Sequence, residues 1–238
     1  MKTTQALFSA ALLSGALSGI TGEASAADLS IQVQNLTQGI YFTPILLVAH
    51  TPDASLFEVG EMASAELQAM AEGGSLDGLV TIGASINADA AANPAGGLLA
   101  PGQSTSAELS TSDSNTVLSV VAMVLPSNDG FIGLDNWQIP TEAGTYTVYL
   151  NAYDAGTEAN DELRGSGAPG MPGMPVPPPL EPLLGTGGSG LTSSIANTSV
   201  HIHPGNIGDD MTNGGTSDVS NSVHRWLNPV AKVTVTVN

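Results

Sequence analysis

Residues Val230 to Val237 read Val-Ala-Lys-Val-Thr-Val-Thr-Val. Apolar and polar side chains alternate there, which places all the apolar ones on one side only if the backbone is an extended strand. The same period of two appears in Leu29-Ser30-Ile31-Gln32-Val33-Gln34 and in Thr145-Tyr146-Thr147-Val148-Tyr149-Leu150. Tyr41 to Ala49 and Thr116 to Leu125 are instead nearly continuous apolar runs, the second ending at Pro126. Such runs suit strands covered on both faces. Thr198 to His203 completes the set. Strand patterns spread over the whole chain, with a single helical pattern among them, predict an all-β antiparallel sandwich. Apolar residues make up 42% of the 238, enough for a packed core.

The helical pattern follows Ser64, which can cap it. Glu66 falls in the first turn, Leu67, Met70 and Ala71 share a face, and Gly73-Gly74 can end it. Residues 165–190 have a different character. Seven of the fifteen prolines lie between Pro169 and Pro182, and Pro177-Pro178-Pro179 favours an extended conformation. A strand pattern resumes afterwards, so this stretch is predicted to be a Pro/Gly-rich surface insertion inside one domain.

The first 26 residues look like an address. Lys2 is followed by an apolar run from Ala6 to Ile20 and then by Ala24-Ser25-Ala26, a small-x-small cleavage signature. This is the pattern of a secretory signal peptide, leaving residues 27–238 as the working domain, secreted or periplasmic and not transmembrane after processing. The chain has no cysteine. A secreted domain without disulfides depends on its core, or on bound metal, for stability.

Charge narrows the partners. Four Lys and Arg stand against 22 Asp and Glu, a formal net charge of −18. Phosphate backbones would repel such a polyanion, so nucleic acid is excluded as a partner. An anionic lipid surface is disfavoured in the same way unless a cation intervenes. The expected partner is an extracellular ligand of unknown identity: a glycan, a lipid headgroup or a surface protein.

The acidic residues are not evenly spread. Pro126-Ser127-Asn128-Asp129-Gly130-Phe131-Ile132-Gly133 directly follows the long apolar strand. Tyr153-Asp154-Ala155-Gly156-Thr157-Glu158-Ala159-Asn160-Asp161-Glu162 follows the alternating strand ending at Leu150. Strands of one sandwich can bring these two ends to one edge. Calcium takes six to eight oxygen ligands from carboxylates, carbonyls and water, and Asp154 and Glu158 flank Gly156 so that both can turn inward. Turn carboxylates are also commonly just solvated, and the spacing leaves both readings open.

These two stretches, Pro-Ser-Asn-Asp-Gly-Phe-Ile-Gly and Tyr-Asp-Ala-Gly-Thr-Glu, resemble the signature of spondin domains. Leu56-Phe57-Glu58-Val59-Gly60 with Ala63-Ser64, Gly133-Leu134-Asp135, and Trp226 with Asn228-Pro229-Val230-Ala231 are similar to bacterial members as well. The resemblance spans about residues 28 to 238, by motif placement. It implies an eight-stranded antiparallel β-sandwich of the calcium-dependent membrane-docking type, and one calcium ion held by acidic loops. The implied calcium carboxylates are Asp129, Asp154 and Glu158; Asn128 and Glu162, read from the same two stretches and not from the resemblance, are secondary candidates for further oxygen positions. The animal pattern has Asp where this chain has Glu158, and an aromatic residue where it has Gly130.

Two other chemistries are open. His201-Ile202-His203 would put two imidazoles on one face of a strand, a pattern suited to zinc or copper. A histidine-based metal-binding protein is therefore the alternative function. A secreted hydrolase is the other: Asp129 and Asp154 could form a carboxylate pair. Gly-x-Ser-x-Gly is absent, no phosphate-cradling loop or dinucleotide fingerprint occurs, and aromatics are only 4%, so the chain is expected to be an adhesion or ligand-binding module rather than an enzyme.

Overall fold

The computed structural model describes residues 26–238, so the expected signal peptide lies, but for Ala26, outside the described residues. The elements in chain order are β1 (Asp28–Asn35), β2 (Tyr41–Phe42), β3 (Leu46–His50), α1 (Ala65–Gly73), α2 (Asp77–Ser85), β4 (Asp89–Ala92), β5 (Ser104–Ser110) and β6 (Val117–Leu125). Then follow β7 (Gly130–Gln138), β8 (Gly144–Asp154), β9 (Arg164–Gly165), β10 (Met174–Pro175), a 3-10 turn at Glu181–Leu183, β11 (His201–Ile202) and β12 (Ala231–Val237).

Eight strands form one hydrogen-bonded path in the order β4-β3-β6-β7-β8-β12-β1-β5, with β2 attached to β6 and β11 to β8. Every pairing in this sheet is antiparallel. The path nearly closes. Asp89, at the start of β4, accepts hydrogen bonds from the Ser112 amide at 2.6 Å and from Asn115 Nδ2 at 2.8 Å, just beyond β5. β8 is long enough to serve both halves: Gly144–Leu150 pair with β12, and Asn151–Asp154 pair with β7. The all-β antiparallel fold is thus as expected.

Two apolar clusters explain the two kinds of strand sequence. The first lies inside the curved sheet and takes Leu29, Ile31 and Val33 from β1, and Val233, Val235 and Val237 from β12. These alternating strands contribute one face each. β6 contributes Leu118, Val120, Ala122 and Val124 to this cluster, but Val121, Met123 and Leu125 to a second one on the outer face. That two-sided burial is why Val117–Leu125 reads as an unbroken apolar run. Fully burying one such side chain is worth about 1.5–3 kcal/mol, so covering the outer face contributes substantially to stability.

The cover is built from α1, α2 and the long segment after β8. Ser64 caps α1 as expected, its Oγ accepting from the Leu67 amide at 3.1 Å. Leu67, Met70 and Ala71 are buried, and Gly74 ends the helix at φ 71°, where its missing Cβ also makes room for Thr43. A second helix, α2, was not expected: one short helix becomes two. Leu76 precedes α2 without any side-chain cap, and Gly78 and Gly83 interrupt its pattern, so Asp77 in the first turn is a weak start signal on its own. Its Leu79 is buried against the same outer cluster.

The Pro/Gly-rich segment is tied into that cover. Met174 and Leu180 are fully buried in the outer cluster, and Leu184 nearly so. Gly165 and Gly173 lie so close that a Cβ on Gly165 would stand 2.5 Å from the Gly173 backbone. The segment is therefore a packed second layer as well as an exposed loop. Met174→Ala is expected to lower unfolding free energy by about 2–5 kcal/mol in urea denaturation. Met171→Ala, at an exposed position three residues away, is expected to change it by less than about 0.5 kcal/mol. Equal small effects would show that the segment does not pack on the core.

Candidate functional site

The β6–β7 connection is only Pro126–Asp129, and Gly130 already begins β7. Asp129 thus sits at a tight strand-to-strand turn with no exposed surface. Gly130 pairs with Asp154, the last residue of β8, so the sheet register brings the two acids to one edge. Gly130 has no room for the aromatic side chain of the animal pattern: a Cβ there would stand 2.7 Å from Ser127 Oγ and 3.1 Å from His203 Cδ2.

After β8 the chain turns at Gly156, whose φ is 70°, and whose Cβ position lies 2.6 Å from the Thr198 backbone. Only glycine meets both conditions at low cost. The turn lays the amides of Thr157 and Glu158 against Asp129: Asp129 Oδ2 accepts from them at 2.8 and 3.1 Å. Asp129 Oδ1 is buried without a hydrogen-bond partner. Burial, and then the neighbouring charge of Asp154, push the Asp129 carboxyl up to about 7, against the lowering effect of the two amides.

Asp154 is also buried. Its Oδ1 accepts from the Gly156 amide at 2.8 Å, and its Oδ2 from Asn160 Nδ2 at 2.6 Å. Glu158 is just inside the surface. Its Oε1 accepts from Asn128 Nδ2 at 2.7 Å and from the Gly173 amide, and burial raises its carboxyl above the ordinary range. The expected carboxylates Asp129, Asp154 and Glu158 therefore line one edge, two of them holding their protons more tightly than free carboxyls do.

Asn128 and Glu162 are at the same edge but act as braces. Asn128 Nδ2 spans Glu158 and Asp161, while its Oδ1 accepts from the Glu162 amide at 3.0 Å. Glu162 has both oxygens engaged: Oε1 by the Ile207 amide at 2.6 Å, Oε2 by the Gly208 amide at 2.8 Å and Ser217 Oγ at 2.6 Å. Sequence reasoning missed three contributors. Asn160 holds Asp154, Asp161 anchors Asn128, and Asp218 accepts from the Arg164 and Gly188 amides at 2.9 Å each. The first two lie inside the quoted acidic stretch, but nothing in their spacing separates a brace from a ligand. Among the described residues, no three His, Asp or Glu side chains converge into a ready-made metal cage.

The expected histidine strand is shorter than its pattern. Only His201–Ile202 pair with β8, His201 opposite Asp154. His201 Nε2 is 3.8 Å from Asp154 Oδ2. His203 is buried, its ring 4.9 Å from Trp226, and burial pushes its imidazole down to about 4. His50 lies elsewhere, 2.8 Å from Ser119 Oγ, which in turn reaches Asp135 Oδ1 at 3.2 Å. In this Ser-His-Asp grouping His50 and Ser119 are buried and Asp135 is half-buried, and Ser119 Oγ also receives the Asn136 amide at the irregular step between β6 and β7. It braces the sheet.

A family model described as Spondin_N matches residues 34–176, and the chain belongs to that family. No curated protein matches it. The matched stretch contains both acidic turns and the braces Asn128, Asn160, Asp161 and Glu162.

The raised Asp129 carboxyl has a consequence for the metal-free protein. Between its ordinary 3.8 and about 7 the folded chain holds a proton that the unfolded chain has released. Stability from this group therefore falls as pH rises through that window. Asp129→Asn removes the effect. With chelator present, the variant is expected to gain on the parent between pH 4.5 and 7.5, on the order of a few kcal/mol. His203 is common to both proteins and cancels in the comparison. Parallel pH profiles would show that Asp129 is ionised in the fold at no cost.

Proposed function

We propose that this member of the spondin family is a secreted, non-catalytic binding or adhesion module whose ligand-facing edge is set by one calcium ion. Asp129, Asp154 and Glu158 are the proposed carboxylate ligands. The observation that carries this reading is Asp129 Oδ1, a buried carboxylate oxygen with no partner, beside a second buried carboxylate. Such an oxygen is costly to leave unpaired, and burial together with the neighbouring charge of Asp154 makes the Asp129 carboxyl resist ionisation. A hard divalent cation removes both penalties at once, and an all-oxygen donor set suits calcium. The ion would supply charge neutralisation and fixed geometry. The chain's own groups hold the loops ready for it: Gly156 sets the turn, and Asn128 and Asn160 orient Glu158 and Asp154.

Family membership supports a spondin-type extracellular module. Among the described residues, no helix is long and apolar enough to cross a membrane. A pocket of about 310 Å³ opens beside Asp154 and Glu158, with Ile195 and Ile207 on its rim. No Phe, Tyr or Trp lines it, so it lacks the stacking platform that a sugar-cleaving site generally uses. A neutralised acidic edge with apolar rim residues suits docking to a surface ligand, such as a glycan, a lipid headgroup or a protein.

Calcium is expected to raise the melting temperature relative to chelator. At about a hundredfold excess over Kd, linkage gives ~2.7 kcal/mol, or roughly 5–10 °C for a chain of this size. Asp129→Asn is expected to abolish the calcium effect while remaining folded. Identical melting curves with calcium and with chelator would reject the proposed ion.

A further inference from the structure

His201 stands apart from the carboxylate edge in chemistry, though it touches it. Its Nδ1 lies 2.8 Å from the Ser199 carbonyl oxygen, which can only accept. Nδ1 therefore carries the proton, and in the neutral ring Nε2 presents a lone pair. Nε2 lies 3.8 Å from Asp154 Oδ2. The distance is too long for a charge-assisted hydrogen bond, which runs about 2.7–2.9 Å. Two acceptors this close repel unless something positive lies between them.

A metal ion fits that description. Two ligands of a tetrahedral zinc ion, each about 2.0–2.1 Å from it, lie about 3.3–3.4 Å apart. The observed pair needs to close by only about half an ångström to match. The bond from Nδ1 to a backbone carbonyl is the outer contact that fixes the tautomer of metal-bound imidazoles, and Asn160 Nδ2 plays the same part for Asp154 Oδ2 at 2.6 Å. Both groups line the pocket of about 310 Å³, which leaves space for water ligands.

His203 does not share this position. Its Nδ1 accepts from the Gly205 amide at 2.9 Å, so its proton is on Nε2 and neither nitrogen has a free lone pair. The two-histidine arrangement suggested by His-x-His is therefore not what the fold provides. A sequence alternation puts both rings on one face, but the turn at Gly205 uses up the second.

We propose that His201 Nε2 and Asp154 Oδ2 are the two protein ligands of a second cation, a nitrogen-preferring divalent ion of the zinc class, with water completing its shell. It differs from the calcium ion in donor set and rests on its own observation, the His201–Asp154 separation, while sharing Asp154, the Asn160 that orients it and the pocket beside them. A site with two protein ligands is weak and open, so the ion keeps exchangeable positions that face the pocket.

The test is calorimetric titration of zinc chloride into the chain, both calcium-free and with calcium present, repeated on His201→Gln, Asp154→Asn and Asp53→Asn. Asp53 is an exposed acid that reports non-specific binding to the −18 surface. The expected result is one equivalent of zinc, weakened at least tenfold in His201→Gln and in Asp154→Asn and unchanged in Asp53→Asn. His201 is about a third exposed, so its variant should fold, and it should keep the full calcium-dependent rise in melting temperature. Cobalt, substituted for zinc, should show visible absorption that is lost in His201→Gln. Zinc bound equally by the parent and His201→Gln, or no zinc equivalent at all, overturns the proposal. Absence of a calcium-dependent rise in the parent, with zinc still bound through His201, would overturn the calcium reading and leave this one standing.

Discussion

One oxygen of Asp129 is held by two backbone amides, and the other meets nothing. The short turn after β6 places this carboxylate inside the protein. The turn at Gly156 then wraps the exit from β8 around it. Each feature makes sense only with the other. Without the β8 exit, Asp129 would be solvated and ordinary. Without Asp129, the amides of Thr157 and Glu158 would lose their acceptor. The arrangement confers order on the edge but carries an electrostatic cost, which the neighbouring Asp154 increases. The proposed divalent ion would turn that cost into stabilisation.

The rest of the molecule can be read as what keeps this edge in place. β6 and β3 are buried on both faces, so the sheet needs an outer cover as well as an inner core. The two helices and the segment following β8 supply it. The same segment carries Glu158, Asn160 and Glu162 and returns Met174 and Leu180 to the outer cluster. Burial of apolar side chains therefore fixes the loop that presents the acids. Glu162 and Asp218 then tie the loop to Ile207, Gly208, Arg164 and Gly188 through backbone amides, and to Ser217 through its hydroxyl. Carboxylates do two jobs here: some brace the backbone and are fully hydrogen-bonded, and Asp129 is left with an open oxygen.

Much of this was legible in the residues. Alternation marked β1, β8 and β12, and the unbroken runs marked β3 and β6, because side-chain period and two-sided burial are written directly into composition. The cap at Ser64 and the stop at Gly74 were equally plain. β7 was hidden because its start, Gly130 to Gly133, holds two glycines and follows the turn-forming Pro126-Ser127-Asn128-Asp129, so it resembled a loop. α2 was hidden because it has no cap and contains two glycines. At the edge, the two acidic stretches pointed to Asp129, Asp154 and Glu158 as neighbours, and the sheet register does bring Asp129 and Asp154 together. The residue types could not show that Glu162 is already saturated, since its partners, Ile207, Gly208 and Ser217, are 45 to 55 residues away. Nor could they separate His201 from His203, which differ only in what binds Nδ1.

The central claim is that Asp129 Oδ1 is a cation ligand. A crystal structure of crystals grown with calcium, or with a lanthanide in its place, tests it through anomalous scattering. The account requires a single strong peak about 2.3–2.6 Å from Asp129 Oδ1, with Asp154 in the same coordination shell. A peak absent from that edge, with Asp129 Oδ1 bonded only to water or to a protein donor, would contradict it.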